Sequence, residues 1–335
     1  MTHYVTFPNL GLEFTLNETV FSIGNFSVQW YGLIIGIGFL LAIIYASFSC
    51  KKMKIKSDAL FDAVIVGLIL GVIGARLYYV IFYPGDYYMK NPGEIFNIKS
   101  GGLGIYGGII GGVLGGAIMA KIRKLKVSAM LDIAALGFLI GQCVGRWGNF
   151  INQEAFGDAT NLPWGMLSAN TLKVVNGPVH PCFLYESLLC FVGFIALHFF
   201  TRKMRRYDGQ TFLLYVAWYG FIRFFIEGLR TDSLMIPVVN LKVSQVVAAL
   251  SVIVSVIILI ALRRRTSLTG CGSKAVMELN GIDLTKTVEE EEAEQKANEE
   301  TSDETDETSA EETKEEVKEE TTEETEDSKE ESKGE

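Results

Sequence analysis

The chain has 335 residues, of which 49% are hydrophobic, and its 39 acidic and 30 basic residues give a net charge of −9. That charge is unevenly distributed, because residues 289–335 hold 24 acidic residues and 5 Lys, whereas the rest of the chain holds 15 acidic and 25 basic residues. The composition excludes an ordinary acidic soluble protein and indicates a basic, hydrophobic body followed by an acidic tail.

Seven apolar stretches of the body approach the ~20 residues that a helix needs to cross a bilayer. In chain order they are residues 28–48, 59–82, 104–120, 130–150, 182–200, 211–225 (extended through Glu227) and 243–262. The stretches are continuously apolar rather than alternating, which favours helices over the strands of a β-barrel. The predicted fold is therefore an all-α integral membrane protein with seven transmembrane helices.

Basic residues are concentrated in alternate connections between the predicted helices. These connections carry Lys51, Lys52, Lys54, Lys56, Lys121, Arg123, Lys124, Lys126, Arg202, Lys203, Arg205, Arg206, Arg263, Arg264 and Arg265. The opposite connections include Lys90, Lys99, Lys173 and Arg230. Since basic loops stay on the cytoplasmic side, we expect the N-terminus outside and the C-terminus in the cytoplasm.

The C-terminal part differs from the body in composition. Residues 289–335 are Glu/Thr/Ser-rich and contain no aromatic residue. Such a segment cannot bury enough apolar surface to offset the entropy lost on ordering. The predicted division is a membrane domain of residues 1–270 and a disordered acidic cytoplasmic tail of residues 271–335.

Ionisable residues inside membrane helices are costly, so each needs a partner or a function. Arg76, Arg146, Arg223 and Glu227 lie late in outward-running helices, and Glu186 lies early in an inward-running one. At the same predicted depth lie Tyr31, Tyr106, Asn149, Asn152, Glu154, His180, Tyr185 and Tyr219. Clustering near one leaflet favours a lipid-facing reaction centre, in which guanidinium groups bind an anionic head group. The alternative is that Arg–Glu pairs, such as Glu227 with Arg223 or Arg230, only fasten helices together.

Two further groups of residues are interpreted as structural. Asp62 and Asp132 are predicted in the first turn of the second and fourth helices, where the helix dipole favours an anion. The glycine-rich stretch of residues 100–116 predicts close helix packing. In the loop before it, Gly101 and Gly102 have an alternative role, which is to let backbone N–H groups approach a phosphate.

Residues 145–157, GRWGNFINQEAFG, resemble the signature of the prolipoprotein diacylglyceryl transferases, integral membrane enzymes that begin bacterial lipoprotein maturation. Other segments resemble the same family in order: QWYGL at 29–33, GARLYYV at 74–80, HPCFLYE at 180–186 and YGFIRFFIEGLRTD at 219–232. The resemblance covers about residues 28–262 and implies seven membrane helices.

The resemblance also implies an activity. The family transfers the sn-1,2-diacylglyceryl group from phosphatidylglycerol to the cysteine thiol of a prolipoprotein lipobox, which forms a thioether and releases glycerol phosphate. The expected location is the bacterial plasma membrane, with the active site at the outer leaflet. We expect no cofactor, no metal and no nucleic-acid partner.

Carried over by motif, the implied catalytic residues are Arg146, Arg223, Tyr106 and Glu154. The implied substrate-binding residues are Arg146, Asn149, Asn152, Gly157, Tyr31, His180, Glu227 and Arg230. In this scheme the arginines stabilise the phosphate leaving group. The signature loop, with Gly157 turning the chain, surrounds the head group. Glu227 and Arg230 organise the site, and Tyr31 orients lipid or peptide.

The base that ionises the incoming thiol, whose ordinary pKa is about 8.5, stays open. Many family members have His-Gly-Gly at the start of the third helix, where this chain has Tyr106-Gly107-Gly108. Tyr106, His180, Glu154 and the field of the arginines are the alternatives. Two rival functions are a transporter or flippase for an anionic substrate and an intramembrane protease. The sequence shows neither a convincing internal repeat nor a GxSxG serine.

The five cysteines, Cys50, Cys143, Cys182, Cys190 and Cys271, lack CxxC spacing and are predicted to be small buried apolar residues. Residues 268–271, LTGC, have the sequence of a lipobox. They follow the last predicted helix on the cytoplasmic side, so we interpret this similarity as coincidence.

Overall fold

The computed structural model describes residues 2–24, 26–97, 101–231, 235–236, 241–286, 288, 290 and 293. Within them, seven helices are long and apolar enough to cross a membrane, which confirms the predicted all-α membrane fold. These are α1 (Trp30–Met53), α2 (Ser57–Ile81), α4 (Ile105–Ile122), α5 (Val127–Asn152), α7 (Cys182–Lys203), α8 (Gln210–Leu229) and α9 (Val243–Ala261). Short helices among the described residues include α3 (Tyr87–Lys90), α6 (Ala169–Leu172) and α10 (Lys274–Leu279).

Short antiparallel strands, which were not predicted from the sequence, precede and connect the helices. They are β1 (Thr2–Phe7), β2 (Leu12–Asn17), β3 (Thr19–Ile23), β4 (Phe26–Gln29), β5 (Leu167–Ser168), β6 (Met235–Ile236) and β7 (Leu241–Lys242). One sheet has the order β2-β1-β5, with Val5 opposite Ser168, while β3 pairs with β4 and β6 with β7. The first sheet ties the N-terminus to the α5–α7 connection, and Val5 and Phe156 share a small hydrophobic core there.

Helices α2 and α4 pack backbone against backbone. A Cβ atom on Gly74 would lie 2.4 Å from the carbonyl oxygen of Gly107, and one on Gly111 would lie 2.2 Å from that of Leu70. These distances leave no room for a methyl group, so glycine is required at these crossing points. The predicted close packing of the glycine-rich helix is confirmed.

Helices α5, α7 and α8 share a core of Ala135, Leu136, Leu139, Cys190, Leu197 and Tyr215. Helix α1 packs along α5, where a Cβ atom on Gly38 would lie 3.3 Å from that of Val144. Helix α9 packs on α8. This packing places the end of α5, the start of α7 and the end of α8 at one end of the bundle, called here the site end.

At the opposite end, the expected helix-dipole role of Asp62 and Asp132 is wrong. Both helices begin earlier than predicted, so each aspartate is the sixth residue of its helix and lies beyond the first turn. Asp62 instead pairs with Arg123 at 2.9 Å. The sequence pattern misplaced the helix starts because the polar residues that precede each apolar stretch are also helical.

Asp132 is buried and stabilises a different helix. Its carboxylate pairs with Arg205 at 2.7 Å. It also accepts the backbone N–H groups of Gly209 (2.8 Å) and Phe212 (2.9 Å), which lie at the start of α8. An aspartate of α5 therefore satisfies unpaired donors of α8 and complements its dipole.

The segment after α9 returns to this opposite end. The backbone N–H of Cys271 donates to Lys52 at 2.8 Å, and that of Ser273 donates to Arg205 at 2.8 Å. Residues up to Leu284 belong to the same compact unit. The disorder predicted for residues 271–335 therefore does not hold for residues 271–284, which include α10. Most of the remaining tail lies outside the described residues, and its disorder stays a prediction.

Candidate active site

A buried carboxylate joins two arginines from different helices at the site end. Glu186, in the second turn of α7, lies 2.6 Å from Arg146 of α5 through Oε1 and 3.1 Å from Arg223 of α8 through Oε2. The hydroxyl of Tyr219 donates to Oε1 at 3.0 Å, and Arg146 donates to the same hydroxyl at 3.4 Å. Arg223 also pairs with Glu227. We call these five residues the ion-pair cluster.

Helical spacing explains why α8 contributes three of these side chains. Tyr219, Arg223 and Glu227 are four residues apart, so they lie on one face of the helix. The side chains of Arg146 and Arg223 are 21% and 17% exposed, whereas those of the two glutamates are 2% and 4% exposed. The charges balance formally, but the arginine side chains are more accessible than the glutamates, as an anion-binding site requires.

The signature loop continues from this cluster. Arg146 donates to the amide oxygen of Asn149 at 3.4 Å, and Asn149 donates to Glu154 Oε1 at 2.9 Å. Asn152 reaches the same carboxylate oxygen at 3.5 Å. The chain can fold back in this way because Gln153, which follows the last residue of α5, adopts a left-handed backbone with φ of 53°.

Gly157 allows the signature loop to approach α7 and α8 closely. Its N–H donates to the carbonyl of His180 at 2.9 Å. A Cβ atom there would lie 2.8 Å from His180 Cβ and 3.0 Å from the carbonyl oxygen of Leu229. Gly157 is not among the glycines with positive φ, so close approach rather than the expected turn explains the glycine.

A cleft of about 430 Å³ opens beside the loop and is lined by Glu18, Gln29, Tyr31, Asn152 and Glu154. Three of these residues were predicted as site residues, and Glu18 and Gln29 were not. Gln29 opens the QWYGL motif, so a signal for it was present. The sequence contained no signal for Glu18, because its place in the cleft depends on the unpredicted β3–β4 hairpin.

Known proteins are similar to this chain over its seven long helices. A sequence model of the family described as prolipoprotein diacylglyceryl transferase matches residues 18–261. The chain belongs to this family. It is therefore a diacylglyceryl transferase and a multi-pass membrane protein of a bacterial family, which confirms the resemblance seen in the sequence.

Individual transferases agree with the family match. The phosphatidylglycerol–prolipoprotein diacylglyceryl transferase of Finegoldia magna is 43% identical over 250 residues, which cover 75% of this chain and 97% of that protein. The transferase of the same name from Clostridioides difficile is 42% identical over 243 residues, covering 72% and 94%. That of Bacillus velezensis is 40% identical over 258 residues, covering 75% and 93%.

Other predicted residues of the transferase lie around the loop. His180 Nδ1 lies 3.1 Å from the hydroxyl of Tyr185, which also accepts the indole N–H of Trp164 at 2.8 Å. Arg230 forms a backbone bridge with Gly157, and its carbonyl accepts the ammonium group of Lys242 at 2.7 Å. Both His180 and Arg230 therefore support the loop through its backbone.

Tyr106 is placed apart from these residues. Its side chain is 44% exposed, and its ring lies 6.1 Å from that of Tyr78 on α2. The structure thus brings Tyr106 to the α2–α4 pair, whereas Arg146, Arg223 and Glu154 belong to the hydrogen-bonded group formed by α5, α7 and α8.

Arg76, predicted at the same membrane depth, binds a loop of its own chain. Its guanidinium donates to four backbone carbonyls, those of Glu94, Ile95, Gly101 and Gly102, at 2.6 to 2.9 Å. Both glycines have positive φ, and their carbonyls are directed at Arg76. The arginine therefore fastens the loop before α4 to α2.

Glu186 was predicted at the same membrane depth as the arginines, but without a site role. In the transferase it contacts both arginines, which come from helices far apart in sequence. Its position at the end of HPCFLYE could have indicated this role, because a glutamate inside an apolar helix needs a charged partner.

Proposed function

We propose that this transferase moves the sn-1,2-diacylglyceryl group of phosphatidylglycerol to the lipobox cysteine of a prolipoprotein signal peptide. The cysteine sulfur forms a bond to the glycerol carbon, and the bond between that carbon and the phosphate oxygen breaks. Glycerol phosphate leaves with the electron pair, and the thiol proton is released. The names of the relatives support both substrates, and this step begins lipoprotein maturation.

The observation that carries this proposal is the pair of arginines fastened to one buried carboxylate. Arg146 and Arg223 are held by Glu186, so little reorganisation is needed when a phosphate binds. A phosphodiester gains negative charge as it departs as a monoester, and preorganised charged donors stabilise such a leaving group. We assign the phosphate to these two guanidinium groups.

The signature loop is assigned to the rest of the lipid head. Asn149 connects Arg146 to Glu154, and Asn152 and Glu154 line the adjacent cleft. Tyr31 also lines the cleft, and its ring packs against Gly148 of α5. We propose that these side chains bind the head group once the phosphate is held.

For the proton of the thiol, we propose Glu154 as the acceptor. Its carboxylate lines the cleft, which is open to an incoming peptide. By comparison, His180 Nδ1 already faces the hydroxyl of Tyr185, and Tyr106 contacts α2. The arginine field would favour the thiolate, and Tyr106 would help to position a substrate chain.

We also propose that the site end faces the outer leaflet of the bacterial plasma membrane. The basic connections lie at the other end of the bundle, which is the pattern of cytoplasmic loops. The N-terminal strands would then lie outside, and the acidic tail would lie in the cytoplasm.

The direct test supplies purified protein in phosphatidylglycerol vesicles with a lipobox peptide and measures the thioether product by mass spectrometry. Loss of one transition-state donor typically costs roughly 10²- to 10³-fold in kcat, so we expect such losses for Arg146→Ala and Arg223→Ala. Arg206→Ala is the control, because Arg206 is exposed at the opposite end. Wild-type rates in both variants would refute the phosphate assignment, and lipid movement without thioether would refute the transfer itself.

A further inference from the structure

The cleft beside the signature loop differs in chemistry from the arginines next to it. Its lining consists of two carboxylates, two carboxamides and a phenol, contributed by Glu18, Glu154, Gln29, Asn152 and Tyr31. These groups accept hydrogen bonds well, and none of the five carries a positive charge. The cleft is therefore unsuited to a second anion and suited to groups that donate hydrogen bonds.

Its position relative to the arginines is set by the loop. Asn149 is hydrogen-bonded both to Arg146, at 3.4 Å, and to Glu154 on the cleft wall, at 2.9 Å. Asn149 thus links Arg146, the proposed phosphate-binding residue, directly to the cleft. A phosphodiester bound to Arg146 would have its head-group alcohol beside this wall.

The backbone at Glu18, which lines the cleft, is fixed by its neighbours. It immediately precedes β3, whose first residue, Thr19, pairs with Gln29 at the end of β4. The carbonyl of Glu18 accepts the N–H of Trp30, the first residue of α1, at 2.9 Å. The hairpin and the helix start together fix the backbone of Glu18 beside the cleft.

We propose that this cleft is the subsite for the head-group alcohol of the lipid, and that Glu18 favours a hydroxylated head group by accepting hydrogen bonds from its hydroxyls. The proposal rests on the proposed function. A volume of about 430 Å³ accommodates a small polyol. A carboxylate accepts hydrogen bonds from hydroxyl donors and repels an anionic group.

The experiment compares two lipid donors in vesicles with the full chain and a lipobox peptide. Phosphatidylglycerol carries two head-group hydroxyls, and phosphatidylpropanol has a similar shape without them. Sites built to bind a hydroxyl discriminate strongly against analogues that lack it. We therefore expect kcat/KM of the wild type to be at least about 10-fold lower for phosphatidylpropanol.

The decisive variant is Glu18→Ala. It should lower kcat/KM for phosphatidylglycerol roughly to the phosphatidylpropanol level and leave the phosphatidylpropanol rate unchanged, because only a hydroxylated lipid can lose this contact. Glu18→Gln, which keeps an accepting oxygen, should retain part of the preference. Glu13→Ala is the matched control, since Glu13 is an exposed acid of the neighbouring strand β2.

Three results would overturn the proposal. Equal losses on both lipids would make Glu18 a structural residue, and unchanged rates on both would remove it from the site. A wild-type preference for phosphatidylethanolamine that disappears in Glu18→Ala would show recognition of a cation instead of hydroxyls. Absence of thioether from every lipid in the wild type is a separate outcome, because it refutes the proposed function and this subsite together.

Discussion

Replacement of Glu186 with glutamine removes the charge that holds the two arginines of the ion-pair cluster. Three donors converge on this carboxylate, from Arg146 at 2.6 Å, Arg223 at 3.1 Å and Tyr219 at 3.0 Å. Glutamine has nearly the same shape but offers one oxygen, and its NH₂ group must face one of the donors. At least one charge-assisted hydrogen bond is therefore lost.

The size of the effect follows from that lost bond. A hydrogen bond to a charged group contributes about 1.5–3 kcal/mol, and each 1.36 kcal/mol in a barrier corresponds to about a tenfold change in rate. If the arginines act only when held in this arrangement, Glu186→Gln should lower kcat by roughly 10- to 150-fold. Repulsion between the two guanidinium groups, no longer bridged by a shared anion, acts in the same direction.

The assay is thioether formation per mole of folded protein, with the folded fraction measured by size-exclusion chromatography and thermal unfolding. Glu278→Gln serves as the control, because Glu278 forms an exposed pair with Lys274 at 3.9 Å on α10. A Glu186→Gln variant with the wild-type rate would refute the reasoning. So would a variant that loses folded protein but keeps its rate per folded molecule.

Three other predictions concern packing and burial. Gly107→Ala should lower the unfolding temperature, because its methyl would lie 2.2 Å from a carbonyl oxygen of α2 and overpacking costs about 1–3 kcal/mol. Gly108→Ala is the control, with its nearest atom at an ordinary 3.5 Å, and equal shifts would contradict the packing account. Gly270→Ala should lower the unfolding temperature, since a Cβ atom on residue 270 would lie 2.4 Å from the backbone of Met53. An unchanged unfolding temperature would contradict this contact. Burial raises the pKa of the Cys271 thiol, so little thiolate is present near pH 7. Alkylation of Cys271, measured by mass spectrometry, should therefore be slow until the protein unfolds. Rapid labelling of the folded protein would contradict this burial.

Part of the candidate site was predictable because its residues are close in sequence. Helical spacing placed Tyr219, Arg223 and Glu227 on one face, and the signature motif brought Arg146 and Asn149 together. The shared role of Glu186 was not predictable in this way. It depends on how α5, α7 and α8 pack, and a sequence pattern shows the depth of a charge in the membrane without showing its partner.

The residues whose contacts were not predicted also depend on tertiary packing. Asp132 was read correctly as structural, but the helix it stabilises is α8, because the connection between α7 and α8 folds over the start of α5. Arg76 resembled the site arginines in depth, yet its donors are directed at the carbonyls of its own loop. Glu18 reaches the cleft only because two short strands pair before α1 begins.

The sequence by itself determined that the protein has seven membrane helices and a family signature, and it predicted which end faces outward. These properties depend on local composition: apolar length sets a membrane helix, and basic loops set orientation. Only the tertiary structure decided which charges meet. An ion pair between Arg146 and Glu186 joins residues 40 positions apart, and their approach is set by the packing of whole helices. The net charge of −9 does not reveal that arrangement, because the two arginines and two glutamates of the ion-pair cluster cancel.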